Sequence, residues 1–277
     1  MNAAVLSGDK TMIAMIEKNL FELFALFRRW SQIEVEDTPE LLLTTCNIPF
    51  PLFNNVLRAG FLPEYADETI QCVVEHYAEA GVPALWWVGP SSEPDDLGAR
   101  LLRHGFCLYD SAPGMGIKLR ALKNEDPAPR GFSIRRVEDV ETLAHWCQVM
   151  QAGFKLTDGV SFGVYELCSA MGISPNAPLQ HYVGYLDGQP VASSSAHFGL
   201  ESVGVYNVAT VPTARGRGIA TQMTLRPLHD ARQAGYQTGI LHASRDSFGV
   251  YARLGFSTFC QIGQYIWMPS STILWQR

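Results

Sequence analysis

The residues whose types and spacing could do chemistry are Arg215-Gly216-Arg217-Gly218. They stand between a β-branched run that ends at Val211 and a segment with Ile219, Met223 and Leu228 at helical spacing. Pro212 and the two glycines break the run, so the pattern predicts a strand, a glycine turn and a helix in succession. A glycine turn that opens a helix leaves backbone N–H groups without acceptors and points the positive end of the helix dipole outward. Such a place binds anions, phosphate above all. Gly216 and Gly218 admit a ligand close to the backbone, and Arg215 and Arg217 add charge. No Gly-Lys-Ser/Thr is present, which excludes a P-loop. Thr221 stands where a dinucleotide fingerprint needs Gly or Ala, and the acidic residue expected further on is missing.

The pattern Arg215-x-x-Gly218-x-Ala220 does match the (Arg/Gln)-x-x-Gly-x-(Gly/Ala) signature of the GNAT superfamily of acyl-CoA N-acyltransferases. The stretch from Ser244 to Phe256 resembles that family's second motif, Asn-x-x-Ala-x-x-Leu-Tyr-x-x-x-Gly-Phe, with Tyr251 and Gly255-Phe256 in place. Ser244 and Ser247 depart from the usual Asn and Ala, and Pro227 inside the predicted helix is expected to kink it. The resemblance covers residues 132–268.

The resemblance implies an N-acetyltransferase with acetyl-CoA as acyl donor and no metal. It implies direct transfer to a primary amine of a small molecule, without a covalent enzyme intermediate. The N–H groups of Arg217, Gly218, Ile219, Ala220 and Thr221 would hold the pyrophosphate, beside Arg215 and Gly216. Val208, Ala209 and Thr210 would pair with the pantetheine arm, and the Val208 N–H would polarise the thioester carbonyl. Tyr251 matches the general acid that protonates the leaving thiolate, Asn207 is expected to orient the acceptor, and Ser244 to touch the coenzyme. The family's glutamate base falls near Gly204, so the base stays open among Glu201, His197 and His242, each of a kind that is more often a surface or satisfied core residue than a base. Two rival readings stand beside the enzyme: a non-catalytic acyl-CoA-binding or regulatory module, and an acetyltransferase acting on a protein amine.

These residues need elements to hold them, and the chain supplies them twice. It has 277 residues with 47% hydrophobic and 17% charged residues, a composition that builds cores. The predicted fold class is α+β (α/β), with two GNAT-like domains, each a mixed, mostly antiparallel sheet flanked by helices. Asn55-Val56 matches Asn207-Val208, Ala80-Gly81 matches Ala234-Gly235, and residues 97–106 match 248–256. Residues 1–120 are expected to form a domain, 121–131 a polar, proline-bearing linker, and 132–277 the catalytic domain.

The copies differ where it matters. In place of the glycine turn the first carries Leu62 to Glu68, with Glu64, Asp67 and Glu68, and Leu101 takes the place of Tyr251. Carboxylates repel a pyrophosphate, so the first copy is expected to lack a coenzyme A site.

A net charge of −6 argues against a nucleic-acid partner. Six scattered cysteines and seven histidines show no metal spacing. The N-terminal stretch Met12 to Phe27 reads as a core-packed amphipathic helix and not as a signal peptide, and no run is long enough to span a bilayer. A cytoplasmic protein is expected, as monomer or homodimer.

Overall fold

The computed structural model describes residues 3–122 and 127–269. Part of the linker expected over 121–131 thus lies outside the described residues. The element order is α1 (Ala3–Ala25), β1 (Ile33–Asp37), β2 (Leu42–Cys46), β3 (Asn55–Leu57), α2 (Ala66–Ala80), β4 (Ala84–Val88), α3 (Leu97–Arg103) and β5 (Cys107–Lys118). There follow β6 (Phe132–Arg136), α4 (Val140–Phe154), α5 (Asp158–Met171), β7 (Leu179–Leu186), β8 (Gln189–Phe198), β9 (Val203–Thr210), α6 (Ile219–Gln233), β10 (Thr238–His242), α7 (Phe248–Leu254) and β11 (Ser257–Trp267). The repeat is visible in this order, since two antiparallel strands, helix, strand, helix and strand follow β1 as they follow β7. Between Ser257 and Trp267 one long strand runs without a turn, Gly263 included.

The chain forms two compact units that do not coincide with the sequence halves. One unit joins the residues up to Leu23 with Pro113–Phe259. Its sheet order is β5-β10-β9-β8-β7-β6, antiparallel except for β9 against β10. The other joins Phe24–Ala112 with the residues from Cys260 onward, in the order β1-β2-β3-β4-β11, antiparallel except for β3 against β4. Each sheet is finished by a strand from the other half of the sequence. Residues 114–118 pair with 238–242, and 263–267 pair with 84–88.

Helix α1 goes with the first of these units for steric reasons. A Cβ on Gly116 would lie 2.4 Å from Met12 Sδ, and one on Gly204 would lie 2.1 Å from Asn19 Oδ1. Two glycines of the sheet therefore make room for the helix. The core of this unit gathers Met115, Ile117, Val203, Val205, Met223, Leu228 and Phe256. The other unit has its own core around Trp86, Tyr77, Ile70 and Phe106. Trp86 is fully buried there.

Candidate active site

The site is built on β9. Val203–Val205 pair in parallel with Gly239–Leu241, and no residue of β9 beyond Val205 pairs with β10. From Tyr206 on, the strand leaves its neighbour and keeps only β8. The register against β8 slips between Ser193 and Ser195, so Asn207 and Val208 together face Ser194. This is a bulge, which bends a strand and re-aims its groups. Asn207 absorbs the irregularity with φ of 54°, a left-handed conformation that asparagine tolerates better than most residues. The Ser193 hydroxyl donates to the Asn207 carbonyl at 3.1 Å, and Asn207 Nδ2 donates to Ser195 Oγ at 3.3 Å. Ser195 Oγ in turn lies 2.8 Å from Nδ1 of His181, a fully buried ring packed at a tilt against Trp146.

The turn follows as expected. Pro212–Ala214 make one 3-10 turn, Arg215 is extended, and α6 begins at Ile219 with Gly218 as its N-cap. Gly216 and Gly218 have φ of 75° and 76°, and a Cβ on either would meet nothing within 4 Å. Both glycines therefore serve backbone conformation beside open space. The Gln222 N–H is bonded back to the Gly218 carbonyl at 3.4 Å, so those of Ile219, Ala220 and Thr221 belong to the first turn, where helices lack internal acceptors. Arg215 is a brace: its Nε donates to the Thr210 carbonyl at 3.0 Å and its Nη2 to the Gly153 carbonyl at 3.4 Å. Arg217 is exposed and is the freer charge. The end of α4 lies directly on the strand, since a Cβ on Gly153 would stand 2.7 Å from Ala209 Cβ.

Tyr251 lies on α7, 6% exposed, with its ring edge-on to Phe256 at 6.1 Å. Burial raises its pKa above the ordinary 10.0, against a smaller lowering by a hydrogen bond with Ser247. The phenol is therefore protonated at neutral pH. Ser244 is exposed, and its hydroxyl is 2.8 Å from that of Ser247, closing the turn before α7. Glycine ends α7, with Gly255 at φ of 99°.

The three candidate bases fare differently. Glu201 is tied in an ion pair to Lys18. His197 is buried, its Nδ1 3.3 Å from Asn19 Oδ1, and burial pushes its pKa down to about 4. His242 also falls to about 4 through burial, and its Nε2 is buried with no hydrogen-bond partner among the described residues. Its ring lies 6.1 Å from that of Tyr206, tilted 32° to it. Gly204, where the glutamate was sought, is covered by Asn19 of α1.

Sequence reasoning missed Asn19, Tyr206 and His181. Asn19 left a signal: it stands on the stripe Met12, Ile16, Leu23 of an otherwise apolar helix face.

The corresponding place in the other unit is closed. There β3 pairs regularly with β2, without a bulge, and the Tyr77 hydroxyl donates to the carbonyls of Thr44 and Asn55 at 3.0 and 2.9 Å. Trp87 Nε1 donates to Asn55 Oδ1 at 2.9 Å. Past β3 the chains rejoin through a parallel bridge between Gly60 and Glu93. At the start of α2, Asp67 is engaged by Arg100 and by His104 Nε2, the latter at 3.0 Å.

Comparison with known proteins agrees with this geometry. Residues 199–259 match the family model described as an acetyltransferase (GNAT) domain. A GCN5-related N-acetyltransferase from Kribbella flavida is similar in structure, with a TM-score of 0.68, 16% identity, and coverage of 89% of this chain and 93% of that one. A tandem GNAT protein from the clavulanic acid biosynthesis pathway has a TM-score of 0.58 at 12% identity, covering 84% and 79%. A GCN5-related N-acetyltransferase from Sphaerobacter thermophilus has a TM-score of 0.55 at 14% identity, covering 92% and 91%. No curated protein matches. The match to the GNAT acetyltransferase domain thus falls on residues 199–259, around β9 and the glycine turn, and the chain has the fold of GNAT proteins, tandem ones among them. Among the described residues no group of side chains could hold a metal, and no helix is long and apolar enough to cross a membrane.

Proposed function

We propose that this chain is an acetyltransferase that moves an acetyl group from acetyl-CoA to a primary amine of a small molecule, with donor and acceptor bound at once. The observation that carries the reading is the stretch Tyr206–Thr210, parted from β10 and leading directly into the Gly216–Gly218 turn at the start of α6. A strand with one side unpaired suits an extended arm, and the helix start suits a diphosphate.

In this reading residues 132–277 supply the catalytic machinery, and 1–120 derive from a copy whose cofactor site is lost. The N–H groups of Arg217 to Thr221 hold the pyrophosphate, Val208, Ala209 and Thr210 line the pantetheine arm, and Ser244 borders the coenzyme. Arg215 contributes by bracing Thr210 against Gly153. The neutral amine nitrogen attacks the thioester carbon, a C–N bond forms, the C–S bond breaks, and the proton that the nitrogen gives up passes to water, from which Tyr251 regains the one it donates. The Val208 N–H stabilises charge on the carbonyl oxygen, and Tyr251 gives its proton to the departing thiolate. Asn207, fixed by the bulge, orients the acceptor. The six thiols are free, which suits a cytoplasmic setting.

A second reading, a coenzyme-binding module without catalysis, draws support from one observation: Glu201 is paired and Gly204 is covered, so neither furnishes a carboxylate base. Calorimetric titration with acetyl-CoA, followed by thiol release over a panel of amines, separates the two. Binding with release supports the enzyme, and binding without release across the panel supports the module.

A further inference from the structure

The polar cluster on α1 and β9 reaches beyond the residues so far given roles. Val205 and Leu241 are the last pair before β9 and β10 part. Tyr206 and His242 are the next residue on each strand, and their rings lie 6.1 Å apart. They stand together at the fork, on either side of the opening.

The hydrogen-bond logic around them is tightly constrained. Asn19 is 1% exposed. Its Nδ2 donates to the Ser202 carbonyl at 2.9 Å, which fixes the amide orientation, since the oxygen cannot make that bond. Asn19 Oδ1 is therefore the acceptor of the Tyr206 hydroxyl proton, at 2.9 Å. The phenol proton is committed to Asn19, and the phenol oxygen keeps its lone pairs for a third group. His242 Nε2, buried with no partner among the described residues, adds a second unmet polar group at the same fork. An unmade hydrogen bond at a buried nitrogen is costly, on the order of 1–3 kcal/mol, so such a group marks a place where a ligand finds compensation. A primary amine offers both an N–H donor and a lone pair, which match the phenol oxygen and either tautomer of a neutral imidazole.

We propose that Tyr206 and His242 receive the acceptor amine, and that Asn19, on the N-terminal helix, is the positioning residue that aims the Tyr206 hydroxyl. The inference rests on the acyl-transfer reading above, and it gives the first copy's helix a part in the second copy's chemistry. The room for it is made at Gly204, where any side chain would displace Asn19.

The test uses the full chain and 2,2,2-trifluoroethylamine, a primary amine kept largely neutral at neutral pH by its CF3 group, which also gives a fluorine NMR signal. The wild type should show saturable binding of the amine. Tyr206→Phe and Asn19→Ala should each weaken it about tenfold, the size of one lost hydrogen bond, with acetyl-CoA affinity unchanged. Gly116→Ala, which presses on Met12 and loosens the same helix away from the cluster, should leave amine affinity near the wild-type value. Absence of saturable binding in the wild type would overturn the proposal. So would equal affinity in Tyr206→Phe or Asn19→Ala, or an equal loss in Gly116→Ala, which would mean that Asn19 merely docks the helix. Failure of the acyl-transfer reading has a separate sign, the absence of acetyl-CoA binding by calorimetry.

Discussion

The backbone N–H of Glu93 donates to the carbonyl of Ala59 at 2.9 Å, and this bond rejoins the parallel chains of β3 and β4 past their ends. On β9, no pairing with β10 follows Val205, and the strand runs on unpaired to the glycine turn. One parallel pair is thus sealed and the other forked. The proposed function therefore predicts a single coenzyme site, and substitution at its glycines should leave no residual binding. Gly218→Glu places a carboxylate at the start of α6 and forces a side chain into φ of 76°, a strain of about 1–2 kcal/mol. We expect acetyl-CoA binding to vanish in calorimetry while the far-ultraviolet dichroism stays native. One remaining equivalent of binding would place a site in the first copy.

Tyr251→Phe tests the general acid. The ring packs on Phe256 and needs only its hydroxyl for chemistry. Turnover should fall about a hundredfold or more, with acetyl-CoA affinity unchanged, in line with the usual worth of a positioned acid. In the wild type the acid must be protonated, and its pKa is raised above 10.0. The alkaline fall in turnover from this group should therefore begin only above that pH, and Tyr251→Phe should abolish it. An unchanged turnover would reduce Tyr251 to a core residue.

Buried neutral histidines should make the fold acid-sensitive. Burial takes His181 down to about 3 and His197 to about 4, from an unfolded value of 6.5. The unfolded chain binds protons first as pH falls below 6.5, so stability is full above that pH and declines toward pH 4. Each histidine removes about 1.4 kcal/mol per pH unit in that window. Urea unfolding at neutral and mildly acidic pH measures the slope. His181→Gln should flatten it by about the share of one group, and a wild-type slope near zero would contradict the burial of both rings.

The contact of α4 with β9 leaves no room for bulk. Gly153→Val would put its Cβ 2.7 Å from that of Ala209. The strand and the Arg215 brace on the Gly153 carbonyl must then shift. We expect a loss of about 1–3 kcal/mol in stability, the usual cost of overpacking, together with weaker acetyl-CoA binding. Denaturant titration and calorimetry on the same variant check both; loss of stability with full affinity would detach the brace from the site.

Much of the frame was legible before the structure. Gly81 and Gly255 end their helices in the left-handed conformation, Asp139 caps α4 through the Thr142 N–H at 2.7 Å, and Asp187-Gly188 turns β7 into β8. These features are local, each set by a few adjacent residues. The exchange of last strands between the two sheets was not legible, because the residues of β5 and β11 mark each as a strand and say nothing about which neighbour is paired. The placement of α1 was hidden for a related reason: its fit depends on Gly116 and Gly204, more than a hundred residues away in sequence. Of the site, the glycine turn and Tyr251 could be read as motifs. His242 was reached only as one of three candidate bases and Tyr206 not at all, since only the fork between two strands brings them together.

The measurement that bears most directly on the central claim is calorimetric titration of the full chain with acetyl-CoA. We expect saturable binding with one equivalent per chain, at the fork beyond Val205 and the turn at Gly216–Gly218. Absence of binding would reduce the Arg215–Thr221 turn to a corner of the fold and contradict the proposed function.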